Sequence, residues 1–451
     1  MVKQKTQFIC QNCGSIFPKW VGRCDNCGEW NTLLEQPKET VSKSVIEQGQ
    51  KSGKVLQVQS IKTIPKSDAS LRLTTDFDDL DEVLGGGILP GSVILLAGQP
   101  GIGKSTILLQ ICANIAKNNS VLYISGEESA TQVHLRAERL GADKNENLNF
   151  AFSTSANDIA STIKSESYKL VIVDSIQTLS LDEITSAPGT VSQITNSNNV
   201  IIRSAKQSGA AVILVGHVTK EGSIAGPKVL EHLVDVVLQF DGDRYGGLKI
   251  IRAMKNRFGS TNETAIFEML KDGLAPVKNP SAALLAERQN ADGSIVLATV
   301  EGSRPLLVEI QALVSPTSFG YPKRTASGFD INRLNLLIAV IERRTKLNLS
   351  DKDIYINVVG GIKLNDQAAD LAICMAIASA AASRRIDDDT IVFGEVGLGG
   401  EIRSAILSDR RIAEAKKLGF KKAIAPKSAG GISFVKEVRD LRSALIDYLQ
   451  K

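Results

Sequence analysis

From about residue 66 onward, short apolar runs alternate with stretches of helical periodicity. VILLA (93–97), SVLYIS (120–125), LVIVD (170–174), AAVILVG (210–216) and DVVLQF (235–240) read as strands, and STILLQICANIA (105–116) as a helix. Strand–helix alternation predicts a mostly parallel sheet covered by helices. After KDGLAPVKNPS (271–281) the pattern restarts. SIVLATVEG, PLLVEIQALV, IYINVVGG and IVFGEVG read as strands, with NRLNLLIAVIERRT, AADLAICMAIASAAAS and SDRRIAEAKKLG as long helices among them. This is a second α/β domain. Ahead of both lies a compact block, 1–34, rich in Cys, Trp and Gly. The polar stretch 35–65 follows it with little periodicity and reads as a linker ending near Pro65. The predicted division is 1–34, 35–65, 66–275 and 276–451.

Composition changes this picture little. The chain has 451 residues, 43% hydrophobic and 23% charged, ordinary for globular domains. Its longest small-residue apolar run, LAICMAIASAAAS (371–383), is too short to span a bilayer, and no apolar segment follows the charged N-terminus as in a secretory leader. No membrane association and a cytoplasmic location are therefore expected. The net charge of +4 names no partner, although residues 1–66 hold ten Lys/Arg against five Asp/Glu. That excess suits nucleic acid or a solvated linker equally well.

The chemistry begins at 98–105, GQPGIGKS, which fits the phosphate-binding P-loop pattern without mismatch. Glycines there let backbone N–H groups face phosphate oxygens at the start of a helix. Gly98, Gln99, Pro100, Gly101, Ile102 and Gly103 would form the cradle. Lys104 would reach the β and γ phosphates of ATP, and Ser105, followed by Thr106, would hold Mg²⁺. A Mg²⁺-binding carboxylate is expected at the end of a later strand, and LVIVDS supplies Asp174. SVLYISGEES places Glu127 and Glu128 beyond the strand that follows the P-loop helix. Glu127 is the first choice for orienting the attacking water, Glu128 the second, and either could simply open the next helix.

Four of six cysteines form two C-x-x-C knuckles, Cys10/Cys13 and Cys24/Cys27. Two knuckles complete a tetrahedral S₄ site for Zn²⁺, with iron in a rubredoxin-like site as the alternative. Four protein ligands leave no open position, so the site is structural. Gly14 and Gly28 follow the second cysteine of each knuckle, where a positive φ is useful. Trp20 and Trp30 could pack over the metal or form a binding surface. Cys112 and Cys374 lie in apolar helical patterns and are expected to be buried thiols.

A carboxylate placed after the strand that follows the P-loop helix resembles the RecA family, an arrangement shared by DnaB-type replicative helicases. In that resemblance a neighbouring subunit completes the site. KNRFGS (255–260) offers Lys255 and Arg257, which point the same way on a strand and could act as a paired arginine-finger element, or form a solvated basic turn. His217 ends the fourth core strand and could sense phosphate. The loops at 182–195 and 217–228 are polar; in RecA-like motors, loops at these positions face a central channel and bind DNA.

Taken together, WVGRCDNCGEWNT, the GKST P-loop, KNRFG and GPKVLEHLVD resemble the bacterial RadA (Sms) recombination family along essentially the whole chain. The resemblance implies a RecA-like P-loop ATPase core with an N-terminal zinc ribbon and a C-terminal Lon-protease-like α/β domain. It implies a ring, taken as a hexamer, that hydrolyses ATP on single-stranded and branched DNA. Branch migration and extension of strand exchange in recombinational repair would be the output, with recombinase or replication proteins as possible partners. Lon-type proteases use a Ser–Lys dyad. In the matching stretch NDQAADL (365–371) Ala368 stands at the Ser position, and Asp409 aligns with the Lys. Without a nucleophile, acyl-enzyme chemistry is impossible there. Gln367 replaces the family's usual proline. Arg343, Arg344, Lys346, Arg384 and Arg385 are candidates for a basic DNA surface or a solvated face. Two rival readings are a non-translocating KaiC-like regulator and an ATP-dependent protease.

Overall fold

The computed structural model describes residues 6–10, 15–26, 28–30, 32–37, 60, 72–217, 228–242, 247–318, 320–427 and 433–449. Cys13, Cys27, Gly14, most of the 35–65 linker and most of the 217–228 loop lie outside the described residues. The chain falls into two compact units, Met1–Phe240 with Ala253–Ser260, and Asp241–Arg252 with Thr261–Lys451.

The N-terminal block is an antiparallel sheet of β1 (Thr6–Cys10), β2 (Ile16–Phe17) and β3 (Leu33–Pro37) in the order β2-β1-β3. The N–H groups of Cys10 and Cys24 donate five residues ahead, to the carbonyls of Ser15 (2.9 Å) and Glu29 (2.8 Å). Gly28 takes φ +77° and donates its N–H to the Cys24 carbonyl. Both thiols are fully buried, whereas Trp20 and Trp30 are 54% and 68% exposed. The two indoles flank Gly22 at the surface, about 3.7 Å from where its Cβ would stand.

The first unit continues with α1 (Asp78–Leu84), β4 (Val93–Gly98), α2 (Lys104–Ala116), β5 (Val121–Ser125), α3 (Ala130–Arg139), β6 (Leu148–Phe152), α4 (Ala156–Ser165), β7 (Leu170–Asp174), α5 (Val191–Ser208), β8 (Ala211–His217), α6 (Lys228–Leu233) and β9 (Val236–Gly242). The strands are parallel in the order β9-β4-β8-β7-β5-β6. Strands β4, β5 and β7 are buried at every position, as continuous apolar runs in a two-sided parallel sheet must be. Register brings the carboxyl ends level: Gly98 lies opposite His217, and Ser125 opposite Asp174. Ligands of open parallel sheets bind at this edge. The segment expected as one loop, 182–195, is a loop only to Thr190, whose hydroxyl accepts the Gln193 N–H and caps α5.

Beyond β9, β10 (Lys249–Asn256), β11 (Thr264–Leu270) and β12 (Gly273–Pro276) pair antiparallel. The second unit then adds α7 (Pro280–Leu285), β13 (Ser294–Glu301), β14 (Arg304–Pro316), β15 (Arg324–Ser327), α8 (Ile331–Thr345), β16 (Lys352–Val358), α9 (Asp370–Ala382), β17 (Thr390–Val392), β18 (Glu395–Val396), β19 (Ile402–Arg403), α10 (Ser408–Lys417), β20 (Lys422–Pro426), β21 (Val435–Val438) and α11 (Leu441–Tyr448). Its seven-stranded mixed sheet has the order β15-β16-β14-β13-β17-β20-β21. IVFGEVG is divided between β17 and β18 rather than forming one strand. Helix α9 is buried continuously from Asp370 to Ser379, which explains its small apolar side chains: it runs through the domain core. No described helix is long and apolar enough to cross a membrane.

Candidate nucleotide site

Strand β4 stops at Gly98, and Gln99, Pro100, Gly101, Ile102 and Gly103 turn the chain into α2. A Cβ at Gly98 would stand 2.7 Å from the Phe240 carbonyl oxygen. Gly101 and Gly103 take φ +77° and +116°, which glycine adopts readily. Buried Ile102 anchors the loop, and Thr106 is also buried in the first turn of α2. No side chain caps that turn, so its N–H donors remain available at a positive helix end.

Two clusters converge on this turn. In the first, the Lys104 ammonium donates to the carbonyls of Gly98 (2.8 Å) and Gln99 (3.0 Å) and lies 3.2 Å from His217 Nδ1. His217 Nε2 in turn is 3.4 Å from Glu127 Oε1, and the Ser175 hydroxyl donates to the same oxygen. An ammonium only donates, so Nδ1 accepts and the imidazole proton sits on Nε2, facing Glu127. Burial pushes the Lys104 ammonium down to about 8, against the opposing pull of Asp174 and Glu127. The His217 hydrogen bond, aided by Ser175, holds the Glu127 carboxyl below its ordinary range despite partial burial.

In the second cluster, Asp174 Oδ2 accepts from the Ser105 hydroxyl at 2.8 Å and the Tyr123 hydroxyl at 2.6 Å. A hydroxyl and a carboxylate held together at a helix N-terminus form the donor set that Mg²⁺ prefers. With the uncapped turn and Lys104, these residues fit a magnesium nucleotide. Glu128 is engaged elsewhere: Arg136 of α3 grips both its oxygens at 2.6 Å. The geometry therefore separates the two glutamates, leaving Glu127 with the P-loop side chains. Tyr123, Ser175 and Arg136 were missed in the sequence, because a tyrosine inside an apolar strand looks like core and serine or arginine near a motif carries no spacing signal.

Lys255 and Arg257 both turn toward the segment after α6. The Lys255 ammonium donates to the carbonyls of Glu231 (2.6 Å) and Val234 (2.8 Å), at the negative end of that helix. The Arg257 guanidinium, 57% exposed, is 3.7 Å from Asp235. The following turn is tightly seated: a Cβ on Gly85 would stand 2.8 Å from the Phe258 carbonyl, and the Asn256 amide donates to Val83. In the second unit, Ala368 is 3% exposed and Asp409 lies on the exposed first turn of α10. Arg411 is fully buried and donates at 2.6 Å to both Asp366 and the Ala298 carbonyl. Asp366 in turn accepts the Ala368 N–H. Among the C-terminal arginines, Arg344 donates to the Leu398 carbonyl and Arg385 to that of Asn290.

For the zinc module, the two described thiols, both buried, fit a thiolate-bound metal. Residues 8–35 match the family model described as a rubredoxin metal binding domain, 63–223 an AAA domain, and 334–429 subunit ChlI of Mg-chelatase. The P-loop, the carboxylate on β7, two strands from β4, and these matches define a P-loop ATPase of the AAA/RecA-like class, carrying a zinc ribbon and a ChlI/Lon-like domain. Among full-length relatives, a "DNA repair protein RadA" from Aquifex aeolicus is 47% identical, covering 95% of both chains. Another from Bacillus subtilis is 48% identical over 94% of this chain and 93% of its own. The chain belongs to the RadA family of DNA repair proteins. A crystal structure of the RadB recombinase matches 46% of this chain and 100% of its own, at 23% identity and a TM-score of 0.38.

Proposed function

We propose that the chain is a DNA-dependent ATPase motor that drives branch migration and extends strand-exchange intermediates during recombinational repair. The observation that carries this reading is the convergence of Lys104, the Ser105–Asp174 pair and the His217–Glu127 pair at one sheet edge. Lys104 would bind the β and γ phosphates, Ser105 and Asp174 would hold Mg²⁺, and Glu127 would orient the attacking water. Bound Mg²⁺ would offset phosphate charge. Lys255 and Arg257 would serve the site of the next subunit in a ring, taken as a hexamer. Arg257 suits this, being half-exposed and held by a long ion pair. The loop at 182–190 and the segment beyond His217 would contact single-stranded and branched DNA, and nucleotide state would reach the latter through His217. The four cysteines would hold Zn²⁺, and the C-terminal domain would organise the ring and bind no peptide substrate. We assign the zinc module to 1–34, the linker to 35–65, the ATPase to 66–275 and the Lon-like domain to 276–451, in a cytoplasmic protein with recombination or replication proteins as partners.

The deciding experiment is migration of a synthetic three-strand junction with and without ATP. Migration by the wild type that requires ATP and is lost in Lys104→Ala is expected. ATP turnover indifferent to single-stranded DNA, with no junction movement, would replace the motor with the KaiC-like regulator. Casein degradation that needs ATP would revive the protease.

A further inference from the structure

Tyr123 lies at the middle of β5, in register with Ile172 of β7, and its side chain is 1% exposed between buried neighbours. A phenol in such a strand loses hydration and must recover a hydrogen bond inside. It recovers a charge-assisted one: the hydroxyl donates at 2.6 Å to Asp174 Oδ2, the oxygen that also takes the Ser105 hydroxyl. Asp174 is the last residue of β7, where the strand no longer confines the side chain. Two donors on one oxygen fix the plane of its carboxylate and leave Oδ1 for an outer bond. Of those donors, Ser105 would itself turn toward a bound ion, whereas Tyr123 approaches from within the sheet.

We infer that Tyr123 is a positioning residue for the divalent ion: its hydroxyl holds the Asp174 carboxylate in the orientation that receives the ion's water shell. The inference rests on the nucleotide-site reading above and deepens it. Groups of this outer kind orient the inner donors of a metal site.

The test compares wild type with Tyr123→Phe in the full-length protein, using a fluorescent ADP analogue titrated with Mg²⁺ from chelated to saturating levels. Affinity without Mg²⁺ is expected to be unchanged. The half-saturating Mg²⁺ concentration, for both ADP binding and ATP turnover, is expected to rise on the order of tenfold. Circular dichroism checks the fold, and Tyr123→Met, which lacks the hydroxyl but packs pliably, is expected to displace the Mg²⁺ curve in the same way. A Mg²⁺ curve unmoved in both variants, or an equal loss of ADP affinity with and without Mg²⁺, overturns the inference. If wild-type ADP binding is itself indifferent to Mg²⁺, the nucleotide-site reading fails with it.

Discussion

Lys104 is a buried ammonium held by two carbonyl oxygens and a histidine, and its depressed pKa of about 8 has a consequence for binding. Below that value the group is charged and attracts phosphate. As pH rises through 8, the empty protein loses the proton, so nucleotide affinity falls. Measured by fluorescent ADP binding, wild-type affinity is expected to drop between about pH 7 and about pH 9, while Lys104→Arg, always charged, stays level. Glu127 and Glu128 are separated by a different experiment. Glu127→Gln is expected to lower ATP turnover roughly 10²- to 10⁴-fold with binding retained. Glu128→Gln, which weakens the grip of Arg136, is expected to cost far less turnover; equal losses would return the assignment to Glu128. At this scale the motif residues were legible, since P-loop spacing is imposed by phosphate geometry. The partners Tyr123, Ser175 and Arg136 were not, because they act through contacts made across strands.

Among elements, the turn after β10 is seated against the end of α1 by two glycines. Gly85 sits at φ +83°, and its Cα lies close to Gly259, where a Cβ on the latter would meet it at 2.8 Å. Gly85→Ala is expected to destabilise the first unit by about 1–2 kcal/mol through the left-handed backbone alone, read by denaturant unfolding. It is also expected to displace Phe258 and depress turnover more than ADP affinity. Arg257→Ala is expected to cut turnover on the order of 10³-fold with ATP binding nearly unchanged. Mixing it with Lys104→Ala tests the partnership: recovery of turnover supports a residue given to the neighbouring site, and its absence across all ratios counts against one. The Lys255 ammonium closes the end of α6, so Lys255→Ala should loosen that helix. The buried parallel strands were legible because each is a continuous apolar run. Strand β6 was missed: its LNFAF is half-exposed at the sheet edge, so Asn149 breaks the apolar run. Residues 191–195 looked like loop because Ser192, Gln193 and Thr195 mask the apolar face that α5 presents to the core.

For the whole molecule, the C-terminal domain encloses a buried ion pair. Arg411 is bound to Ala298 and to Asp366, which also takes the Ala368 N–H, and its guanidinium lies 5.6 Å from the Phe393 ring centroid. Ala368→Ser is expected to yield no casein degradation, with or without ATP, because Asp409 stands where the Ser–Lys pattern would need its lysine base. Arg411→Met leaves Asp366 buried without its cation and is expected to cost about 3–5 kcal/mol, measured by urea unfolding. The double variant with Asp366→Asn should regain part of that loss. The departures from a Ser–Lys pattern at Ala368 and Asp409 were legible in the sequence. The ion pair was not, because Asp366 and Arg411 are far apart in the chain and meet only through packing.

Gln193, in the first turn of α5, is 2% exposed and spends its side-chain amide on the loop before it. Its nitrogen donates to the carbonyls of Ile184 and Ser186 at 2.9 Å and Leu181 at 3.2 Å, and its oxygen accepts the Leu181 N–H. One side chain thus ties the polar segment 181–186 to a rigid helix. A tethered loop has already lost much of the conformational entropy that a free one surrenders when it meets a ligand. Whatever this loop touches, it meets as a shaped edge, so recognition begins with little disorder left to quench.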